Sequence, residues 1–240
     1  MITLIAQLRQ QYLVSDQHRA ERHYYPSRFL YRPLGILIAA ASIRLRLSAN
    51  ALSIASLLVF IAAMLQLAHG GGVVVAAIGL NVCWILDHAD GLVARWHGRS
   101  STFGSFLDGL IDASFSAQYL VLGYHVNVGH SDTLWPLALG GSITFLVLFG
   151  HYFRVRLASM NVGEKTAPAR PSRQAGNTRR HLAQFFQLSY RNWLYGEPLL
   201  FLMLALIGSE LVFLIAAAFV HFAFVTIEIV VRVRTFYRNS

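Results

Sequence analysis

The chain of 240 residues is short of cysteine and of charge, and each shortage excludes something. Its single cysteine, Cys83, supports no disulfide framework and no cysteine-based metal site; within an apolar segment it reads as a small buried side chain. Only 13% of residues are charged against 55% hydrophobic, which is not the balance of an ordinary soluble domain. No short basic start leads into a long apolar run, so the first 47 residues do not read as a cleavable signal peptide. Lys and Arg are missing altogether from three connections, near residues 69–72, 127–133 and 208–210. The 20 basic residues fall as seven before residue 47, two at Arg95 and Arg99, eight from Arg154 to Arg191 and three from Arg232 onward. A net charge of +9 distributed in this way points to no nucleic acid. It alternates as the positive-inside rule requires, with both termini, the turn at 96–102 and a basic loop at about 157–192 in the cytoplasm, and hence an even number of spans.

The apolar runs predict an all-α integral membrane protein with six transmembrane helices preceded by amphipathic interfacial helices. Residues 1–47 form the interfacial segment. There Leu4, Ile5, Leu8, Tyr12 and Leu13 recur at helical intervals, and Pro33 opens a second short helix through Ile43. Residues 48–240 form the six-helix domain. The first span is expected from Ser48, as N-cap, to His69, the second from Gly72 to Trp96, the third from Phe103 to Asn127 and the fourth from Thr133 to Arg154. The last two share the run up to Val231 and divide at Gly208, Ser209 and Glu210, with the fifth starting near Trp193.

Against this apolar background one stretch stands out, DHADGLVARWHGRSSTFGSFLDGLID from Asp87 to Asp112. Each charge at a membrane centre costs on the order of 3 kcal/mol, so four aspartates there need a shared compensating partner, for which a divalent cation is the natural candidate. Asp87 and Asp90 are three positions apart and Asp108 and Asp112 four, and either interval returns a helical side chain to one face. A hairpin turn at 96–102 therefore sets two carboxylate pairs opposite each other, with Asp87 and Asp112 both about 12 Å from the turn. Oxygen donors in two tiers suit one or two hard cations. Gly91 and Gly104 lack a Cβ and Ala94 keeps the groove open, while Arg95 supplies a planar donor fork for phosphate oxygens. Ser101 and its neighbours Ser100 and Thr102 offer hydroxyls to a nucleotide or, equally, to the turn and the next helix cap. His88 points about 100° away from Asp87, a direction that favours packing over metal ligation.

The pattern Asp87-x2-Asp90-Gly91-x2-Ala94-Arg95-x8-Gly104-x3-Asp108-x3-Asp112 resembles the signature of the CDP-alcohol phosphotransferase (CDP-alcohol phosphatidyltransferase) family at all eight fixed positions. The resemblance implies a six-helix membrane enzyme that transfers a substituted phosphate from a CDP-linked donor to an alcohol and releases CMP. It implies metal ligation by Asp87, Asp90, Asp108 and Asp112, use of two Mg2+ or Mn2+ ions, and a catalytic-base role for Asp112, which from spacing alone is equally another ligand. Nucleotide and diphosphate contacts would come from Gly91, Ala94, Arg95, Gly104 and Ser101. The segment LSANALS resembles the family's entry to its first span, with Asn50 and Ser53 where an Asn and a Thr are common. The segment HYFRVRLAS weakly resembles the exit of the fourth span in relatives with phosphorylated acceptors, so Arg154 and Arg156 are candidates to bind an acceptor phosphate or, equally, simple membrane anchors. A homodimer is also implied.

A site in the cytoplasmic leaflet favours CDP-diacylglycerol as donor and a small polar alcohol, phosphorylated or not, as acceptor, in phospholipid biosynthesis at the inner membrane of a bacterium. The alternative within the family transfers a head group from a CDP-alcohol to diacylglycerol or another lipid. Intramembrane carboxylates also occur in cation and proton transporters, but a transporter has no need of Gly91, Arg95 and Gly104 in this register.

Overall fold

The computed structural model describes residues 1–15, 18, 24–98, 102–130, 133–161 and 177–239, and the regular elements among them are all helical. Helix α1 runs Ile2–Leu13, a π-helical turn occupies Ser27–Tyr31, and α2 follows directly as Arg32–Arg44, with Pro33 in its first turn where a missing N–H does no harm. The bundle consists of α3 (Ala49–Ala68), α4 (Val73–Trp96), α5 (Thr102–Phe115), α6 (Ala117–His130), α7 (Trp135–Asn161), α8 (Asn177–Leu206) and α9 (Glu210–Asn239). Four of these are long and apolar enough to cross a membrane: α3, α4, the Trp135–Phe153 part of α7 and the Glu210–Val231 part of α9.

Several boundaries follow from local chemistry. Ser48 caps α3 by accepting from the Ala51 amide at 3.2 Å, as expected of its position. Gly70, at φ +80°, reverses the chain after α3 in a conformation that other residues rarely adopt, and the Gly71 amide closes back on the Gln66 carbonyl at 2.9 Å. The expected single span from Phe103 to Asn127 is broken at Ser116. Its hydroxyl turns back to donate to the Ala113 carbonyl at 2.7 Å and its own carbonyl accepts from Thr144 of α7 at 3.0 Å, while the backbone tightens to i+3 bonds, the Ser116 amide donating to the Ala113 carbonyl at 3.2 Å and the Tyr119 amide to the Ser116 carbonyl at 3.4 Å. The segment expected as a loop at 157–192 is helical at both ends, since α7 continues to Asn161 and α8 begins at Asn177, well before Trp193. Residues 162–176 lie outside the described residues.

The amino-terminal helices are part of the packed structure. Leu8 and Tyr12 of α1 are buried in one cluster with Ile36, Ala39 and Ala40 of α2 and Ala89, Leu92 and Val93 of α4. Gly35 allows the close approach, because a Cβ there would stand 3.0 Å from His88 Cβ. Tyr24 stacks on Tyr195 of α8 and receives a hydrogen bond from Arg191 at 3.0 Å, so a residue expected in a solvated loop fastens α8 to the segment before α2.

Between helices in a bilayer there is no hydrophobic driving force, and contact rests on close packing and internal hydrogen bonds. Gly123 of α6 and Gly140 of α7 lie back to back, each leaving space that a Cβ would have to take from the other helix's backbone. Asn81 of α4 donates to the Pro198 carbonyl of α8 at 2.8 Å and accepts from Tyr31 at 2.9 Å, tying three elements at one buried point. The outward faces carry exposed Leu58, Phe145, Phe219 and Phe222, an apolar surface that suits lipid.

Candidate active site

Helices α4 and α5 leave between them a cavity of about 200 Å³ whose lining includes Asp87 and Gly91 from α4 and Asp108 and Asp112 from α5. The helical register alone brings these side chains to the facing surfaces. Asp90 stands beside the cavity and accepts a hydrogen bond from Ser53 of α3 at 2.6 Å. The carboxylates act on one another through space: Asp87 is repelled by Asp90, Asp112 and Asp108 and attracted by Arg32, and Asp90 is repelled by Asp108 and attracted by Arg95.

The small residues behave as their lack of bulk suggests. The Arg95 guanidinium lies over Gly91, with Nη1 and Nη2 3.2 and 3.3 Å from where a Cβ would be, so any larger residue at 91 would displace it. Ala94 is half-buried next to Arg95, and Gly104 falls in the first turn of α5. Ser101 lies outside the described residues, as does the side chain of Arg154. Arg156 is exposed near the end of α7 and does not line this cavity. Asn50 sits one turn before Ser53, the residue of α3 whose side chain reaches Asp90.

Sequence reasoning passed over Arg32. It is 2% exposed, lines the cavity, donates from Nη1 to the His88 carbonyl at 3.2 Å and rests its guanidinium 4.7 Å from the Tyr12 ring centroid. The available signal was a cation placed immediately before Pro33 at the opening of an apolar helix. His88 packs as its direction predicts. Its Nδ1 faces the Trp84 carbonyl at 2.8 Å, which can only accept, so in the neutral ring Nε2 accepts from the Ser27 hydroxyl at 2.9 Å. Trp84, Phe115 and Tyr195 complete the wall.

Among the described residues no three carboxylate, imidazole or thiol groups already form a coordination set for a metal ion. The donors nevertheless suit a hard divalent cation: carboxylate oxygens on two facing helices, repelling one another around a cavity that leaves room for further oxygen ligands from a substrate. Replacing Ser53 by Ala removes a hydrogen bond to a charged group, worth about 1.5–3 kcal/mol, from the side of Asp90 that faces α3. The expected outcome is a drop in turnover of roughly tenfold together with a thermal midpoint lower by a few degrees, to be read by steady-state kinetics beside a melting curve.

Comparison with known proteins adds two findings. A family model for CDP-alcohol phosphatidyltransferase matches residues 46–226. The archaetidylinositol phosphate synthase of Pyrococcus horikoshii is 36% identical over 83 residues, covering 33% of this chain and 37% of that protein, so the chain spans little more than a third of that relative's length.

Proposed function

The chain belongs to the CDP-alcohol phosphatidyltransferase family, and from that premise we propose that it transfers a phosphatidyl group from CDP-diacylglycerol to a small polar alcohol, releasing CMP. The observation that supports this most is the cavity between α4 and α5, where Asp87, Asp108, Asp112, Gly91 and the buried Arg32 meet. The acceptor oxygen forms a bond to the phosphorus that carries the diacylglycerol, the bond from that phosphorus to the CMP oxygen breaks, and the hydroxyl proton passes to the Asp112 carboxylate. Arg95 and Arg32 bind diphosphate oxygens and fix the reacting phosphorus in line with the acceptor. Asp87, Asp90, Asp108 and Asp112 are the residues that would hold Mg2+ or Mn2+, two ions in this reading. A bound divalent cation supplies neutralisation of the diphosphate charge. Ser53 orients Asp90.

The four long apolar helices, joined by α5 with α6 and by α8, give six crossings in this reading. The termini and the site lie on the cytoplasmic side of a bacterial inner membrane, and residues 1–47 rest at the interface while packing on α4. A homodimer is the proposed assembly. Arg154 and Arg156 are the candidates in this reading for an acceptor phosphate.

Direction of transfer is tested by supplying acyl-labelled CDP-diacylglycerol with unlabelled alcohols and, separately, head-group-labelled CDP-alcohols with diacylglycerol. Label passing from CDP-diacylglycerol into a new phospholipid is the expected result. Label passing only from a CDP-alcohol overturns the assignment of donor while leaving the family reaction in place.

A further inference from the structure

A second cavity, of about 440 Å³, adjoins the first and shares Asp112, Trp84 and Phe115 with it. Its far end is polar in a way that a space for acyl chains would not be. Tyr119, Glu197, His221 and Tyr190 line it, all at most 7% exposed. Their hydrogen bonds run in one direction. Tyr119 has one proton to give and gives it to Glu197 Oε1 at 2.5 Å, so its oxygen accepts from His221 Nε2 at 2.7 Å. With the proton on Nε2, the other ring nitrogen of neutral His221 accepts from the Tyr190 hydroxyl at 3.2 Å. The chain ends on the Glu197 carboxylate, whose second oxygen, Oε2, lies 3.8 Å from His221 Nε2, beyond hydrogen-bond length.

We propose that this second cavity is the acceptor subsite and that it selects an alcohol without a phosphate of its own, one whose end remote from the reacting hydroxyl donates hydrogen bonds to Glu197. The inference rests on the reaction proposed above. Asp112 stands at the junction of the two cavities, where a hydroxyl can meet the donor phosphorus, and Tyr119 lies seven residues further along α5 and α6, about 10 Å deeper. That span suits a polyol or amino alcohol. A phosphate at the deep end would face a buried carboxylate, and among the described residues no Lys or Arg lines the cavity to offset it. Val147, Leu148 and Leu194 add apolar wall that can contact carbon. Glu197 and Tyr119 are therefore specificity residues: they touch the acceptor, not the donor.

The test is acceptor-dependent CMP release by the full-length protein in detergent with CDP-diacylglycerol and Mg2+ or Mn2+. Inositol, serine and ethanolamine are compared with inositol 1-phosphate and glycerol 3-phosphate. The expected result is higher kcat/KM for an unphosphorylated member. Glu197→Gln is expected to raise the KM for that acceptor at least tenfold with the KM for CDP-diacylglycerol unchanged, and Tyr119→Phe to raise it less. Should Glu197→Gln fail to fold, Tyr119→Phe and the wild-type preference still decide. Preference for a phosphorylated acceptor overturns the inference but upholds the reaction. Equal changes in both KM values, or none, assign the cluster a structural role and also overturn it. No CMP release with any acceptor overturns both.

Discussion

Asp112→Asn is expected to lower acceptor-dependent CMP release by about 10²- to 10⁴-fold, the range by which general-base catalysts accelerate a reaction. Asp112 borders both cavities, so it is the carboxylate that an acceptor and a donor phosphorus can share. Asparagine keeps the size and much of the hydrogen bonding of aspartate but cannot take a proton. The loss should therefore fall on kcat, with the KM for CDP-diacylglycerol changed little and the melting temperature no lower than that of the wild type. A variant that keeps more than a tenth of wild-type turnover would remove the proton-accepting role and leave Asp112 as one more oxygen donor.

Gly140→Leu is expected to disrupt the bundle. A Cβ at 140 would press on the Tyr119 carbonyl and stand 3.2 Å from Gly123 Cα, and both obstacles are backbone that no rotamer change can clear. Overpacking of this kind costs about 1–3 kcal/mol, and more where helices must part. The thermal midpoint should fall by several degrees, and acceptor turnover should fall with it, because the same contact positions Tyr119. Gly123→Ala should act in the same direction. Gly129→Ala on the same helix is the control, since among the described residues nothing lies within 4 Å of its added methyl, and it should be neutral or slightly stabilising. Equal melting temperatures for Gly140→Leu and Gly129→Ala would show that α6 and α7 are not packed through this pair.

How much the sequence disclosed depends on which physical signal carried each feature. The register of Asp87, Asp108 and Asp112 is a local helical property, so their meeting at one cavity was legible before any fold was known. Ser48 and Gly70 announced the ends of α3 by capping and turn chemistry. The break at Ser116 was not legible, because it depends on Thr144, a residue 28 positions away. The early start of α8 was hidden for a related reason. Its first turns are too polar for a hydropathy signal, and Tyr195 and Arg191 find partners in Tyr24 that only tertiary structure supplies. Arg32 counted as one cation among seven in a basic segment until the packing of α2 on α4 carried it to Asp87. Glu197, near the cytoplasmic end of its helix in the sequence reading, is joined to Tyr119 and His221, polar residues in apolar helices whose partners come from elsewhere in the chain.

The most direct test of the central claim is CMP release by the detergent-purified protein given CDP-diacylglycerol, Mg2+ or Mn2+, and each acceptor in turn, with EDTA as the paired control. The account predicts CMP formation that requires both an acceptor and the divalent ion, and that stops on chelation. CMP formation that persists in EDTA would contradict the role given to the four carboxylates. Its absence with every acceptor would contradict CDP-diacylglycerol as the donor.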